Sequence, residues 1–352
     1  MCETAGAHPG TYSPEGATLH SPAGEYDRLV SGPASPRPLH PVGQAVAIAA
    51  VLAQAGIAVT GSVVRVTGSG LGCPTWPQCF PGSLVPQAHP EIAALTQWIE
   101  FGNRMFTGLV GLVALGCLVT ALRVRPRRRR LVLLAAAMPA GVAVQAVVGG
   151  VLVLTGLVWW QVAVHFLLSM LLVWLAVLLV AAFGEGDAPP RWQVPGATHG
   201  LLGTAVVLLA ALLTVGTLVT AAGPHAGDAA TPRLGVAIPV LVQVHADLLF
   251  AFLGLLAGLG FALRAARVPA RTWRRYGLLV GVVLAQGALG VVQYLTGVPE
   301  VLVSLHVLGA AMVVVAMATL WVGCRSRAGL PTGAGYPDAD QARPLASTGT
   351  AP

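Results

Sequence analysis

Eight apolar stretches, each close to the roughly 20 residues that a helix needs to cross a bilayer, dominate the 352-residue chain. They fall at 43–64, 101–123, 131–154, 159–183, 199–222, 236–264, 273–296 and 301–323. Lipid offers the backbone no hydrogen-bond partners, so such segments must satisfy their own N–H and C=O groups. The expected fold is an all-α membrane protein of eight transmembrane helices. Composition agrees, with 55% hydrophobic and 9% charged residues, against about 25% charged in soluble domains. This excludes a soluble enzyme, a nucleic-acid binder and a disordered chain. The expected location is the cell (plasma) membrane, with the protein embedded in lipid.

Every one of the 20 cationic residues is arginine. With the N-terminus placed inside, the inner segments hold 17 of them, including Arg123, Arg125, Arg127 to Arg130, and Arg264, Arg267, Arg271, Arg274 and Arg275. Only Arg65, Arg104 and Arg233 fall outside. That bias puts both termini in the cytoplasm. The stretches 1–40 and 325–352 carry no apolar run and read as disordered cytoplasmic tails, with no cleavable leader at Met1.

The chain also repeats itself. Gln145, Gly149, Thr155, Gly156 and His165 match Gln286, Gly290, Thr296, Gly297 and His306, all at an offset of 141 residues. Two pseudo-symmetric four-helix bundles are therefore expected, at 41–183 and 199–324, joined by a cytoplasmic linker at 184–198.

Ionisable residues inside spans are costly and mark functional candidates. Helix 2 opens with Glu100, Asn103 and Arg104; helix 4 carries His165, helix 6 His245 and Asp247, and helix 8 His306. The histidines lie about 7–14 Å below the outer surface, with Asn103 shallower on the same side. Two facing imidazoles in a four-helix bundle suit a six-coordinate haem, which points to His245 and His306 as axial ligands. The bland reading makes each a packing histidine bonded to a neighbouring helix. In the first half the pair would be Asn103 and His165, and Asn is a poor iron ligand. A haem there is held from one side through His165, as suits a substrate. Glu100 shares a helical face with Asn103 and could move protons; equally, it could be an acid that favours a helix N-terminus. The outer loop 65–99 carries Cys73 and Cys79, expected to form a disulfide on the oxidising side. It would be either a structural clip or a redox pair.

These residues resemble one family, haem A synthase, over about 43–323. The resemblance rests on VRVTGSGLGCPTWPQC, on WIEFGNR at the start of helix 2, on GPHAGD at 223–228 and on the three intramembrane histidines. It implies that haem b is the cofactor, ligated by His245 and His306, and that haem O is the substrate, ligated by His165 with Asn103 in its pocket. It also makes Glu100 the catalytic carboxylate. The implied reaction oxidises the C8 methyl of haem O to a formyl group with oxygen from water. Implied partners are a haem O synthase, cytochrome oxidase assembly factors and further copies of the chain. The chain departs from many members in having Asn103 in place of a second first-half histidine. It also has no cysteine between Ala221 and Ile238, so a two-disulfide relay is ruled out. The competing reading is a bis-histidine haem b electron-transfer cytochrome. It uses the histidines and leaves Glu100, Cys73 and Cys79 without a task.

Overall fold

The computed structural model describes residues 40–327; the greater part of both expected tails, 1–39 and 328–352, lies outside the described residues. The helices are α1 Pro41–Val66, α2 Ala94–Arg123, α3 Arg129–Leu154, α4 Trp159–Gly184, α5 Gly196–Ala222, α6 Ile238–Ala265, α7 Ala270–Leu295 and α8 Glu300–Gly323. All eight are long and apolar enough to cross a membrane.

One boundary differs substantially from expectation. Helix α2 begins at Ala94, seven residues earlier than its apolar run suggested. The extra turns, LTQWIE, contain Gln97 and Glu100, and both are buried. These polar residues are helical because the loop before them supplies their partners. Asn103 consequently lies nine residues into its helix.

The two ends of the bundle are built differently. The loops after α1, α3, α5 and α7 gather at one end, the loop end. Gly70 N–H donates to the Gly227 carbonyl at 2.9 Å, and His225 Nε2 bonds the Val298 carbonyl at 2.9 Å. At the other end Arg128 pairs with Asp187 at 2.9 Å, and Arg327 donates to the Ala188 carbonyl at 2.7 Å. Here the linker and the chain after α8 form a short antiparallel pair, β1 Arg191–Trp192 with β2 Arg325–Ser326. This pairing was not expected, and it gives the first residues of the supposed C-terminal tail a fixed place.

The same turn precedes the histidine helices α4 and α8. In Thr155–Gly156–Leu157 and Thr296–Gly297–Val298 the last two residues are left-handed, with φ of 74° and 60°, then 80° and 63°. Leu157 N–H reaches back to Leu152 O, and Val298 N–H to Gln293 O, both at 2.8 Å. Leucine and valine rarely adopt this conformation, so each is held in it by that hydrogen bond and by the packed helix that begins just beyond.

The buried cores lie toward the arginine end. One joins Ala47, Ala114, Leu131, Met138 and Phe183; the other joins Leu202, Phe252, Leu259, Leu279 and Met317. Helices α1 and α4, and α2 and α3, pack closely along the first half. In the second half α5 meets α6 and α7 meets α8, while contacts of α6 with α7 and of α5 with α8 are sparse. Near the arginine end Tyr276 of α7 donates to the Leu256 carbonyl of α6 at 2.9 Å, where a Cβ on Gly260 would collide with its ring. Replacing Gly260 with Leu should overpack this contact and cost about 1–3 kcal/mol, read as a lower thermal midpoint in detergent; an unchanged midpoint would remove it as the pivot.

Candidate functional site

Glu100, His165, His245 and His306 each lie six or seven residues inside the loop-end start of their helix. At 1.5 Å per residue each lies about 10 Å along its own helix from that start.

In the second half each imidazole lies against a glycine of the helix before it. A Cβ on Gly216 of α5 would come within 3.1 Å of the His245 ring, and one on Gly290 of α7 within 3.1 Å of the His306 ring. The glycines let these rings lie close to the neighbouring backbone. Gln286 donates to the His306 main-chain carbonyl at 2.8 Å, which fixes α8 against α7 at this level. Nδ1 of His245 and of His306 is buried with no hydrogen-bond partner among the described residues. Imidazoles from two helices, each with a buried Nδ1 lacking a partner, where contacts between α6 and α7 are sparse, fit the donor set of a six-coordinate haem iron.

The first half repeats this arrangement on one side only. His165 lies 3.5 Å from the Cβ position of Gly149, its Nδ1 is buried without a partner, and Gln145 donates to its main-chain carbonyl at 3.0 Å. Asn103 does something else. Its Oδ1 accepts a hydrogen bond from Thr60 of α1 at 2.7 Å. A Cβ on Gly61, beside Thr60, would meet open space. The contacts of His165 therefore run to α3 and those of Asn103 to α1.

Glu100 is 4% exposed and fully engaged. Its Oε2 accepts the Cys73 backbone N–H at 2.7 Å, while Oε1 takes Nε of Arg104 at 3.2 Å and a second bond from Nη2. Arg104 spends its other N–H groups on the loop. It donates to the carbonyls of Cys73 at 2.8 Å, Thr75 at 2.9 Å and Gln78 at 3.1 Å. Sequence reading placed Arg104 beside Glu100 without a task; the i,i+4 spacing of opposite charges was the available signal. Cys73 and Cys79 are joined in a disulfide and are buried with Phe80. Trp76 of the same loop lies across Gly150 of α3, where a Cβ would fall inside the indole. Gly72 sits directly on the backbone of Thr96.

Fold and site thus define a multi-pass membrane protein whose imidazoles lie similarly far along their helices, beneath a disulfide-closed loop. The chain belongs to the cytochrome oxidase assembly protein family, whose sequence model matches residues 44–318. It is similar to a protein named Heme A synthase of Symbiobacterium thermophilum, 35% identical over 128 residues, or 36% of this chain and 40% of that one. A second Heme A synthase, of Lysinibacillus sphaericus, is 36% identical over 137 residues, or 38% of this chain and 42% of that one. The aligned stretches thus span about two fifths of these relatives. A Protoheme IX farnesyltransferase of Thermus thermophilus is 42% identical over 72 residues, covering 20% of this chain and 11% of its own.

The loop's docking leaves no room at Gly72. Replacing Gly72 with Ala should lift the loop from α2 and open the disulfide to mild reductant. Alkylation of Cys73 and Cys79 after brief reductant treatment reads this directly; equal protection in mutant and parent would show that the contact does not hold the loop down.

Proposed function

We propose that the protein is a haem A synthase, oxidising the C8 methyl of haem O to a formyl group with oxygen taken from water. The observation that carries this reading is the duplicated imidazole setting, complete in the second half and single in the first. Membership of the cytochrome oxidase assembly protein family and likeness to two Heme A synthases support it.

His245 and His306 would hold haem b. When bound, haem b supplies one-electron transfer. His165 would bind the iron of the substrate, haem O, from one side, and Asn103 stays with Thr60 at the pocket's edge. Single ligation suits a molecule that must enter and leave. Methyl to formyl is a four-electron oxidation, so an electron acceptor outside this chain must take four electrons. Each of two two-electron steps adds the oxygen of one water and releases two protons, giving first the alcohol and then the hydrated aldehyde, which loses water. Glu100 is the carboxylate within the spans of the first half, and we assign it the handling of these protons. Its bonds to Cys73 and Arg104 hold it in place for that task. The reaction needs a supplier of haem O. A haem O synthase, cytochrome oxidase assembly factors and a second copy of this chain are the proposed partners.

Expressed in a host that makes haem O, the protein should produce haem A, seen in acid–acetone extracts; haem B alone would favour the electron-transfer cytochrome. His245→Ala and His306→Ala should each abolish the six-coordinate absorption signature of the purified protein. An unchanged spectrum in both variants would remove them as ligands. Glu100→Gln is close in shape but loses the proton function together with the charge that pairs with Arg104, so haem A output should fall by about a hundredfold or more with haem b content retained. Normal output would take Glu100 out of the chemistry. Asn103→Ala should cost far less activity than His165→Ala, and equal losses would mean that Asn103 also serves the iron.

A further inference from the structure

At the arginine end, away from the histidines, a cleft opens beside the start of α3, lined by Arg129, Arg130, Arg325 and Asp187 and walled by Leu133, Leu134 and Leu178. Directly behind it Arg128 is 2% exposed. With Arg327, five guanidiniums meet here. They face two carboxylates, each engaged through one oxygen, so the cluster keeps a net positive charge. Asp187 accepts from Arg128 Nε at 3.2 Å and Nη2 at 2.9 Å, while Glu185 pairs with Arg130 at 3.3 Å and lies 3.9 Å from Arg327.

Several guanidinium N–H groups are left over. Nη1 of Arg128, Nε and Nη2 of Arg325, and Nε of Arg327 are buried with no hydrogen-bond partner among the described residues. A buried charged donor without an acceptor is among the costlier defects a fold can carry. Burial above all, with Arg130 and Arg327 adding to it, lowers the pKa of Arg325 against the opposing pull of Glu185. Helix α3 starts in the same place, with no acidic residue in its first turn and no side chain capping it. Its free N–H groups add to the positive potential. The cluster is therefore short of negative charge. One turn deeper, the charge gives way to leucine, and Leu133 is 60% exposed.

We propose that this cleft binds the phosphodiester headgroup of an anionic phospholipid, with Arg129, Arg130 and Arg325 on the phosphate oxygens and an acyl chain along Leu133, Leu134 and Leu178. Guanidinium forks match phosphate oxygens in geometry and charge, and basic pockets at this level of a membrane protein suit such headgroups. A free phosphate would satisfy the same guanidiniums and leave the leucine wall unused. This site is independent of the proposed reaction.

The full chain, purified in detergent, is titrated with dioleoyl phosphatidylglycerol, dioleoyl phosphatidylcholine or inorganic phosphate, and bound lipid is counted by native mass spectrometry. The expected result is retention of phosphatidylglycerol over phosphatidylcholine. Each guanidinium near an anionic headgroup changes affinity about fivefold, so Arg129→Gln should cost about fivefold and Arg129→Gln with Arg325→Gln about thirtyfold. Phosphatidylcholine binding should not move. Arg129 is exposed, so its single variant tests the site without risk to the fold. Equal retention of the two lipids, or undiminished phosphatidylglycerol binding by both variants, overturns the proposal. Displacement of phosphatidylglycerol by millimolar inorganic phosphate would make this a free-phosphate site and overturn the lipid assignment. A chain ending at residue 327 that alone binds the lipid would hand the guanidiniums to the carboxylates of Asp338 and Asp340, again against it.

Discussion

A carboxylate buried at membrane depth holds the loop end together. Ionised, Glu100 could not stay at 4% exposure without strong partners. It has Arg104 on one oxygen and the Cys73 N–H on the other. Arg104 then binds three loop carbonyls, which fixes the path of the chain from Cys73 to Gln78. With the loop held there, Trp76 reaches Gly150 and Gly70 reaches Gly227. The loop containing Gly227 also carries His225, whose ring bonds the Val298 carbonyl in the turn that opens α8. Arg65 ties the same loop to α1 through the His225 carbonyl at 3.0 Å. An unbroken series of contacts thus runs from Glu100 in one half to the entry of the His306 helix in the other.

Packing density divides the molecule along its length. Small and branched apolar side chains fill the arginine end, where Ala47, Ala114, Ala121 and Ala135 let helices approach closely. At the loop end the same helices carry glycines, and imidazoles lie against them. Tyr276 spans α7 to α6 at Gly260 and Leu249 of α6 lies against Gly287 of α7, while contacts between these helices are otherwise sparse. A rigid base with a looser top is an arrangement that can hold a large flat ligand without dissolving the fold, since the core that stabilises the helices does not include the site.

The legibility of each feature in the sequence depends on the kind of signal it gives. Eight helices could be read because lipid demands about 20 apolar residues per crossing, and seven of them begin and end within three residues of expectation. The start of α2 was misjudged because Gln97 and Glu100 look like loop residues until a loop backbone is there to partner them. The histidines stood out by rarity and by the 141-residue repeat. Gln145 and Gln286 appeared in that repeat as identities only; their donation to the carbonyls of His165 and His306 needs coordinates. The hydrogen bond from Thr60 to Asn103 joins residues 43 apart, and no local pattern announces it. The β1–β2 pair is two residues long on each side, below any periodic signal.

The difference between the halves is itself informative. Three of four equivalent places hold an imidazole near a glycine: His165 at Gly149, His245 at Gly216 and His306 at Gly290. In the fourth, Gly61 faces open space and Asn103 turns to Thr60. A duplicated bundle kept only as an electron carrier would have reason to preserve both ligand pairs, because bis-histidine ligation keeps iron six-coordinate in both oxidation states. This chain keeps one complete pair. In the other half it surrounds the single imidazole with the buried acid Glu100, its arginine and a docked disulfide loop. A complete imidazole pair in one half and a single imidazole in the other, with a buried, arginine-paired carboxylate beside the single one, is the division expected when one haem stays and the other is worked upon.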